Sequence, residues 1–177
     1  MRLFIALDLP PDVRTALSAW AAQAAPPEVR RVPADNLHVT LAFLGARSGD
    51  EAAAAGAVLP ALARPLPQLR TAGALWLPAR RPGVLSVALE ADELLAALHA
   101  ELVAALAASI GFEAERRRFA PHVTVGRVAR ASRIDTRPAL DPPAPHLRFG
   151  PRSLALYRSR TSPQGARYER LTGVELR

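Results

Sequence analysis

Two segments of the chain open on the same polar pair, His38-Val39-Thr40-Leu41 and His122-Val123-Thr124-Val125, and this doubling constrains the fold more than any other feature. Side chains alternate faces along a strand, so His38 and Thr40 point one way while Val39 and Leu41 point the other. The same holds for His122 and Thr124 against Val123 and Val125. Apolar residues anchor each strand, and a His-x-Thr pair is left facing a groove. The segments that precede the two motifs are also alike. Residues 2–9 read as a buried strand stopped by Pro10-Pro11, after which Asp12 opens a helix with Val13, Leu17 and Trp20 at helical spacing to about Ala25. Residues 84–90 read as another strand. Asp92 then opens a long helix with Leu94, Leu95, Leu98, Leu102 and Leu106 on one face, closed by Gly111. Each half is strand, helix, then a strand beginning at a histidine.

The repeat predicts an α+β class. Two pseudo-two-fold-related lobes of antiparallel sheet, flanked by helices, would surround a central cleft, with residues 1–177 as a single bilobal domain. The first lobe supplies His38 and Thr40, the second His122 and Thr124. Between them the pattern gives a strand over 37–44 ended by Gly45, a helix over about 50–63, and a short strand around Leu75-Trp76-Leu77. Two closing strands, 153–158 and about 168–176, flank the turn Thr161-Ser162-Pro163-Gln164-Gly165, and the proline-rich stretch 130–151 reads as a loop between lobes.

Composition narrows the chemistry. With no cysteine, disulfides, zinc–thiolate sites and cysteine nucleophiles are excluded, and a cytoplasmic location is expected. No uninterrupted apolar run reaches the roughly 18 residues of a spanning helix, so no membrane segment is expected. All 23 basic residues are arginine and the net charge is +7. Guanidinium forks match phosphate oxygens, which favours a phosphorylated partner, although a bias toward Arg, Ala and Pro across the chain accounts for much of this.

A pair of imidazoles facing one cleft suits cleavage of a phosphodiester. One takes a proton from the attacking water or hydroxyl, the other gives one to the departing oxygen, and histidine's near-neutral pKa allows both roles at one pH. Threonine hydroxyls can donate to the non-bridging oxygens as their charge rises. No metal or other cofactor is needed by this scheme. Each strand brings a single imidazole, unlike the helix-borne ligand pairs of zinc enzymes.

The segments Asn36-Leu37-His38-Val39-Thr40-Leu41-Ala42-Phe43-Leu44-Gly45 and Phe119-Ala120-Pro121-His122-Val123-Thr124-Val125-Gly126-Arg127 resemble the paired signatures of the two-histidine (2H) phosphoesterases. Within that superfamily the chain is most similar to the RNA 2′,3′-cyclic phosphodiesterases, also called 2′-5′ RNA ligases. The opening Arg2-Leu3-Phe4-Ile5-Ala6-Leu7-Asp8-Leu9-Pro10 and the late Leu156-Tyr157-Arg158-Ser159-Arg160 and Gly165-Ala166-Arg167-Tyr168 fit the same family. The resemblance implies hydrolysis of terminal 2′,3′-cyclic phosphates to 2′-phosphates. Some members also join tRNA halves through a 2′-5′ bond without ATP. It further implies that His38 and His122 are the acid–base pair, that Thr40, Thr124 and Arg127 hold the phosphate, and that Phe43 stacks on the base. The expected partners are RNA ends or nucleotides carrying a 2′,3′-cyclic phosphate, bound by a monomer.

Phe43 follows His38 at an odd spacing, so plain alternation puts it on the opposite face. Only a twist or a bulge, or the resemblance itself, brings it to the groove. The chain departs from the family where members often carry a tryptophan before the first motif and this one has Arg30-Arg31-Val32. His99 and His146 have no motif around them and read as structural or solvated. Arg30-Arg31 and Arg80-Arg81 read as solvated, and Arg116-Arg117-Arg118 as either a solvated turn or a grip on RNA. An RNA-end-binding module with little catalysis, and a 2H phosphodiesterase for 2′-5′ oligonucleotides or small cyclic nucleotides, stand as alternatives.

Overall fold

The computed structural model describes residues 1–78, 81–115, 117–134, 137–162 and 165–176, with the backbone alone at 161, 162 and 165. Arg80, Arg116, Pro163 and Gln164 lie outside the described residues. Among the described residues, nine strands and three α-helices follow in the order β1 (Arg2–Asp8), α1 (Pro11–Ala24), β2 (Val29–Arg31), β3 (His38–Ala46), α2 (Gly49–Ala57), β4 (Leu69–Leu77), β5 (Val84–Leu89), α3 (Glu93–Ile110), β6 (His122–Val128), β7 (Arg148–Phe149), β8 (Ser153–Ser162) and β9 (Gly165–Glu175).

All pairings are antiparallel, and the strands run β7-β4-β5-β6-β3-β1-β8-β9, with β2 added beside β6. The repeat read from the sequence is visible as β1-α1-β3 against β5-α3-β6, each a pair of neighbouring strands joined through a helix. The halves meet at β3 and β6 through the single register pair Val39↔Val123. Both valines are fully buried on the helix side of the sheet. The polar partners on either side of them are thereby turned to the other face.

Local chemistry accounts for the element ends. Ser48 and Glu51 close a reciprocal capping box at the start of α2. The helix expected to reach residue 63 stops at Ala57, and Leu59–Leu62 continue as a 3-10 turn, because Pro60 has no N–H to extend the α-helical ladder. In α3, Asp92 accepts from the Leu95 N–H at 2.8 Å and Gly111 ends the helix at φ +61°. Leu95, Leu98, Leu102 and Leu106 are fully buried, whereas Leu94, expected on the same face, is 56% exposed. By length and composition alone α3 is apolar enough to cross a membrane, although Glu101 interrupts its apolar run. Here its leucine face packs into the core, and Glu101 on the outer side pairs with Arg64 at 2.7 Å.

Several elements differ from the sequence expectation. The strand around Trp76 is nine residues long, and β8 and β9 together form a longer hairpin than predicted. The stretch 130–151 carries β7, which pairs with β4, and side chains from α1 and β4 also pin it. Trp20 donates to the Pro142 carbonyl at 2.9 Å, and the Thr71 hydroxyl donates to the Pro145 carbonyl at 2.6 Å. Period-based reading misses such a segment because its partners are single side chains from distant elements.

At Gly126, β6 and β2 approach closely: a Cβ there would sit 2.3 Å from Val29 Cγ1. Valine is stiff at χ1 and is held at the edge of the core. Gly126→Ala is therefore expected to cost about 1–3 kcal/mol, as overpacking does. At this chain length that is a fall in Tm of roughly 2–12 °C, readable by a thermal melt. An unchanged Tm would mean that β2 yields freely.

Candidate active site

Antiparallel pairing about Val39↔Val123 sets Thr40 opposite His122 and Thr124 opposite His38. The two histidines are then diagonal neighbours, whose backbones in such a pair stand roughly 7–8 Å apart. His38, Thr40, His122 and Thr124 line one cleft of about 370 Å³, together with Phe43 and Arg127. All six predicted site residues are thus brought together.

The last two arrive by the same device. In the β1–β3 ladder, Ala6 pairs with Thr40 but Ile5 pairs with Ala42, so Leu41 is an extra, bulged residue. In the β5–β6 ladder, Ser86 pairs with Thr124 but Leu85 pairs with Gly126, so Val125 is extra. Each bulge follows the motif threonine by one position and resets the alternation. Leu41 and Ala42 both stay in the core, and Phe43 swings to the cleft, where it is 61% exposed. Val125 is likewise buried and Arg127 emerges, its side chain making no ion pair or hydrogen bond among the described residues. Where one half of the sheet offers an aromatic ring, the other offers a guanidinium.

The imidazoles are held alike at one end. His38 Nδ1 lies 2.7 Å from the Asn36 carbonyl and His122 Nδ1 lies 2.9 Å from the Ala120 carbonyl. A carbonyl only accepts, so each Nδ1 carries the proton and each Nε2 is presented to the cleft. His38 Nε2 is met by Thr40 Oγ1 at 3.0 Å, while Thr124 Oγ1 lies 3.4 Å from the buried Ser86 hydroxyl.

The surroundings of the two rings are not alike. His38 stacks on Phe4 (centroids 4.8 Å apart, planes 26° apart) and meets the edge of Tyr168 at 5.4 Å. Phe4 in turn stacks on Tyr157 at 5.3 Å. Burial in this aromatic setting pulls the His38 pKa down to about 4, against smaller upward pulls from the Asn36 carbonyl and Asp8. The Asp8 carboxylate accepts from the Tyr157 hydroxyl at 2.5 Å and from Ser153 at 2.6 Å, with Arg14 at 3.7 Å. Burial, and next the bond to Asp8, push the Tyr157 phenol well above its usual range.

Sequence reasoning did not assign roles to Phe4, Tyr157, Tyr168, Asp8, Asn36 or Val32. The alternation Arg2, Phe4, Ala6, Asp8 along β1 was the signal that could have placed two of them. Val32, the last residue of the Arg30-Arg31-Val32 stretch before the first motif, lines the cleft. His99 stacks on Phe119 at 4.0 Å, His146 is exposed, and neither lines the cleft. Arg117 and Arg118 are exposed. Among the described residues no three His, Cys, Asp or Glu side chains converge as a metal site.

A family model described as the 2′-5′ RNA ligase superfamily matches residues 8–163. Over 139 residues, 72% of each chain, the sequence is 33% identical to the RNA 2′,3′-cyclic phosphodiesterase of Escherichia coli (strain K12). Among solved structures, one from Thermus thermophilus superposes with a TM-score of 0.83 at 31% identity, covering 99% of this chain and 98% of that one. E. coli LigT complexed with 3′-AMP superposes at 0.77 and 31% identity, over 99% and 97% of the two chains.

Proposed function

This chain belongs to the 2′-5′ RNA ligase superfamily, and we propose that it hydrolyses terminal 2′,3′-cyclic phosphates of RNA to 2′-phosphates. The observation that carries the reading is the Val39↔Val123 pair, which turns both His-x-Thr motifs onto one cleft. Water attacks phosphorus, the bond to the 3′-oxygen breaks, and the phosphate remains on the 2′-oxygen. His38, kept neutral by burial, takes the proton from water through Nε2. His122 gives the proton that the 3′-oxygen needs as it leaves. Thr40, Thr124 and Arg127 hold the non-bridging oxygens, and Phe43 offers a face for the base. Run in the same direction with a ribose 5′-hydroxyl attacking phosphorus in place of water, the same proton transfers break the bond to the 3′-oxygen and join ends through a 2′-5′ bond; run backwards, they cleave it. We take the chain to act as a single bilobal unit, a cytoplasmic monomer, on RNA ends or on nucleotides carrying a 2′,3′-cyclic phosphate.

The test is incubation of the purified protein, with EDTA present, against a nucleoside 2′,3′-cyclic monophosphate and a short RNA bearing the same end, resolving 2′ from 3′ products. The expected result is the 2′-phosphate alone, at a rate unaffected by EDTA. A 3′-phosphate, or loss of activity on chelation, would sink the scheme.

The pH profile follows from His38. A base must be unprotonated in the free enzyme, so the acidic limb of kcat/KM is expected near pH 4, well below the roughly 6.5 of an ordinary histidine. The sign for stability is the same. Between about pH 6.5 and 4 the unfolded chain binds the proton that folded His38 refuses, so the fold loses stability as pH falls through that window. An acidic limb at about 6 to 7, the ordinary histidine range, that persisted in all His122 variants would count against His38 as the base.

A further inference from the structure

The two motifs are matched residue for residue, yet the strand beside each is not. On β1, Asp8 pairs with His38, Ala6 with Thr40 and Phe4 with Phe43. At the corresponding places on β5, Ala88 pairs with His122, Ser86 with Thr124 and Val84 with Arg127. The carboxylate and the aromatic ring that flank His38 are replaced beside His122 by an alanine and a valine. A two-fold frame has no direction of its own, whereas water attack and leaving-group departure need opposite proton transfers. Something must distinguish the two imidazoles.

We propose that Asp8 is the positioning residue that makes this distinction, acting on His38 through the Tyr157–Phe4 ring stack. The proposal rests on the phosphodiesterase reading above. Asp8 is buried and both its oxygens are engaged, by Tyr157 on one side and Ser153 on the other. Tyr157 is therefore tethered at its hydroxyl, and its ring lies within 15° of parallel to Phe4, against which the His38 ring stacks. Tyr168 closes the assembly by meeting the edges of both Phe4 and His38. With Nδ1 fixed on the Asn36 carbonyl and one face against Phe4, the imidazole is held against rotation, and Nε2 is left aimed at the cleft. Among the described residues no aromatic ring is stacked on His122.

The charged and titratable groups facing His38 are Asp8 of β1, Arg14 of α1, His122 and Arg127 of β6, Tyr157 of β8 and Tyr168 of β9. Arg14 and Arg127 favour the neutral ring, and Asp8 opposes them. The carboxylate thus keeps a half-buried imidazole basic enough to take a proton, while the stack keeps it in place.

The test uses the full chain as Asp8→Asn and Tyr157→Phe variants, with two readouts. The histidine ring protons are titrated by NMR, and hydrolysis of a nucleoside 2′,3′-cyclic monophosphate is followed. Asp8→Asn is expected to move the His38 titration to lower pH, to leave His122 in place, and to lower kcat about tenfold at unchanged KM. That is a fraction of the ~10²–10⁴-fold carried by proton transfer itself, since a weaker base is a poorer one. Tyr157→Phe keeps Asp8 and the ring but cuts the tether, and is expected to lower kcat several-fold at unchanged KM. If Asp8→Asn does not fold, this second variant decides. A His38 titration and kcat equal to wild type in folded variants would overturn the proposal. Absence of turnover in the wild type would instead overturn the functional reading, while the titrations would still show whether Asp8 acts on His38 alone.

Discussion

Replacing either His38 or His122 by alanine is expected to lower kcat by ~10²–10⁴-fold with the fold retained, the usual worth of general acid–base participation. Both side chains lie half-buried at the cleft, and the core beneath them is carried by Val39 and Val123, so neither imidazole is a packing element of the sheet junction. The single variants are also expected to be non-additive. Once one proton transfer is lost, the other imidazole has little left to accelerate, and the double variant should fall only slightly below the worse single one. The two differ in a second readout. His38→Ala removes a ring from the stack with Phe4 and Tyr168, so its Tm should drop more than that of His122→Ala, which has no such neighbour among the described residues. Steady-state kinetics and thermal melts on the same preparations check both points. Near-full activity in both single variants would exclude the two-histidine mechanism.

How much of this was legible in the chain is clear from particular residues. His38, Thr40, His122 and Thr124 could be placed from period-2 alternation because each sits next to a valine that the core demands. The helices α1 and α3 were readable for a similar reason: Pro10-Pro11 and the Val13, Leu17, Trp20 spacing in the first, and Asp92, Gly111 and the leucine spacing in the second, are local signals. Phe43 and Arg127 were different. Each needs a bulge after the motif threonine, and nothing in Leu41-Ala42 or Val125-Gly126 announces one; Gly126 only permits the close approach of β2. Asp8 was visible as the last residue of an alternating face, but its partners Ser153 and Tyr157 lie some 145 residues on. Contacts of that separation are set by sheet order, and sheet order was not deducible from periodicity. The short strands β2 and β7 escaped for the same reason, each being defined by its neighbour more than by its own sequence.

The threonines carry the second large expectation. In the free protein His38 Nδ1–H is spent on the Asn36 carbonyl, so the lone pair at Nε2 faces Thr40, whose hydroxyl donates to it across 3.0 Å. A bound phosphate offers that hydroxyl a charged oxygen, a stronger acceptor than a neutral imidazole. When the hydroxyl turns to the phosphate, Nε2 is released to take the proton from water. In the proposed mechanism Thr40 thus has two roles, holding the oxygen whose charge grows and uncovering the base at the moment substrate arrives. Thr40→Val keeps the shape and removes both, and is expected to lower kcat by ~10²–10³-fold, as loss of one donor to a developing oxyanion does. Thr124→Val should cost similarly in rate, and it also leaves the fully buried Ser86 hydroxyl without its neighbour, adding about 1–2 kcal/mol of destabilisation. Thr→Ser at either position restores a hydroxyl and should recover most of the rate. If the valine variants turned over like wild type while the histidine variants did not, the threonines would be spacers, and Arg127 alone would be left to hold the phosphate.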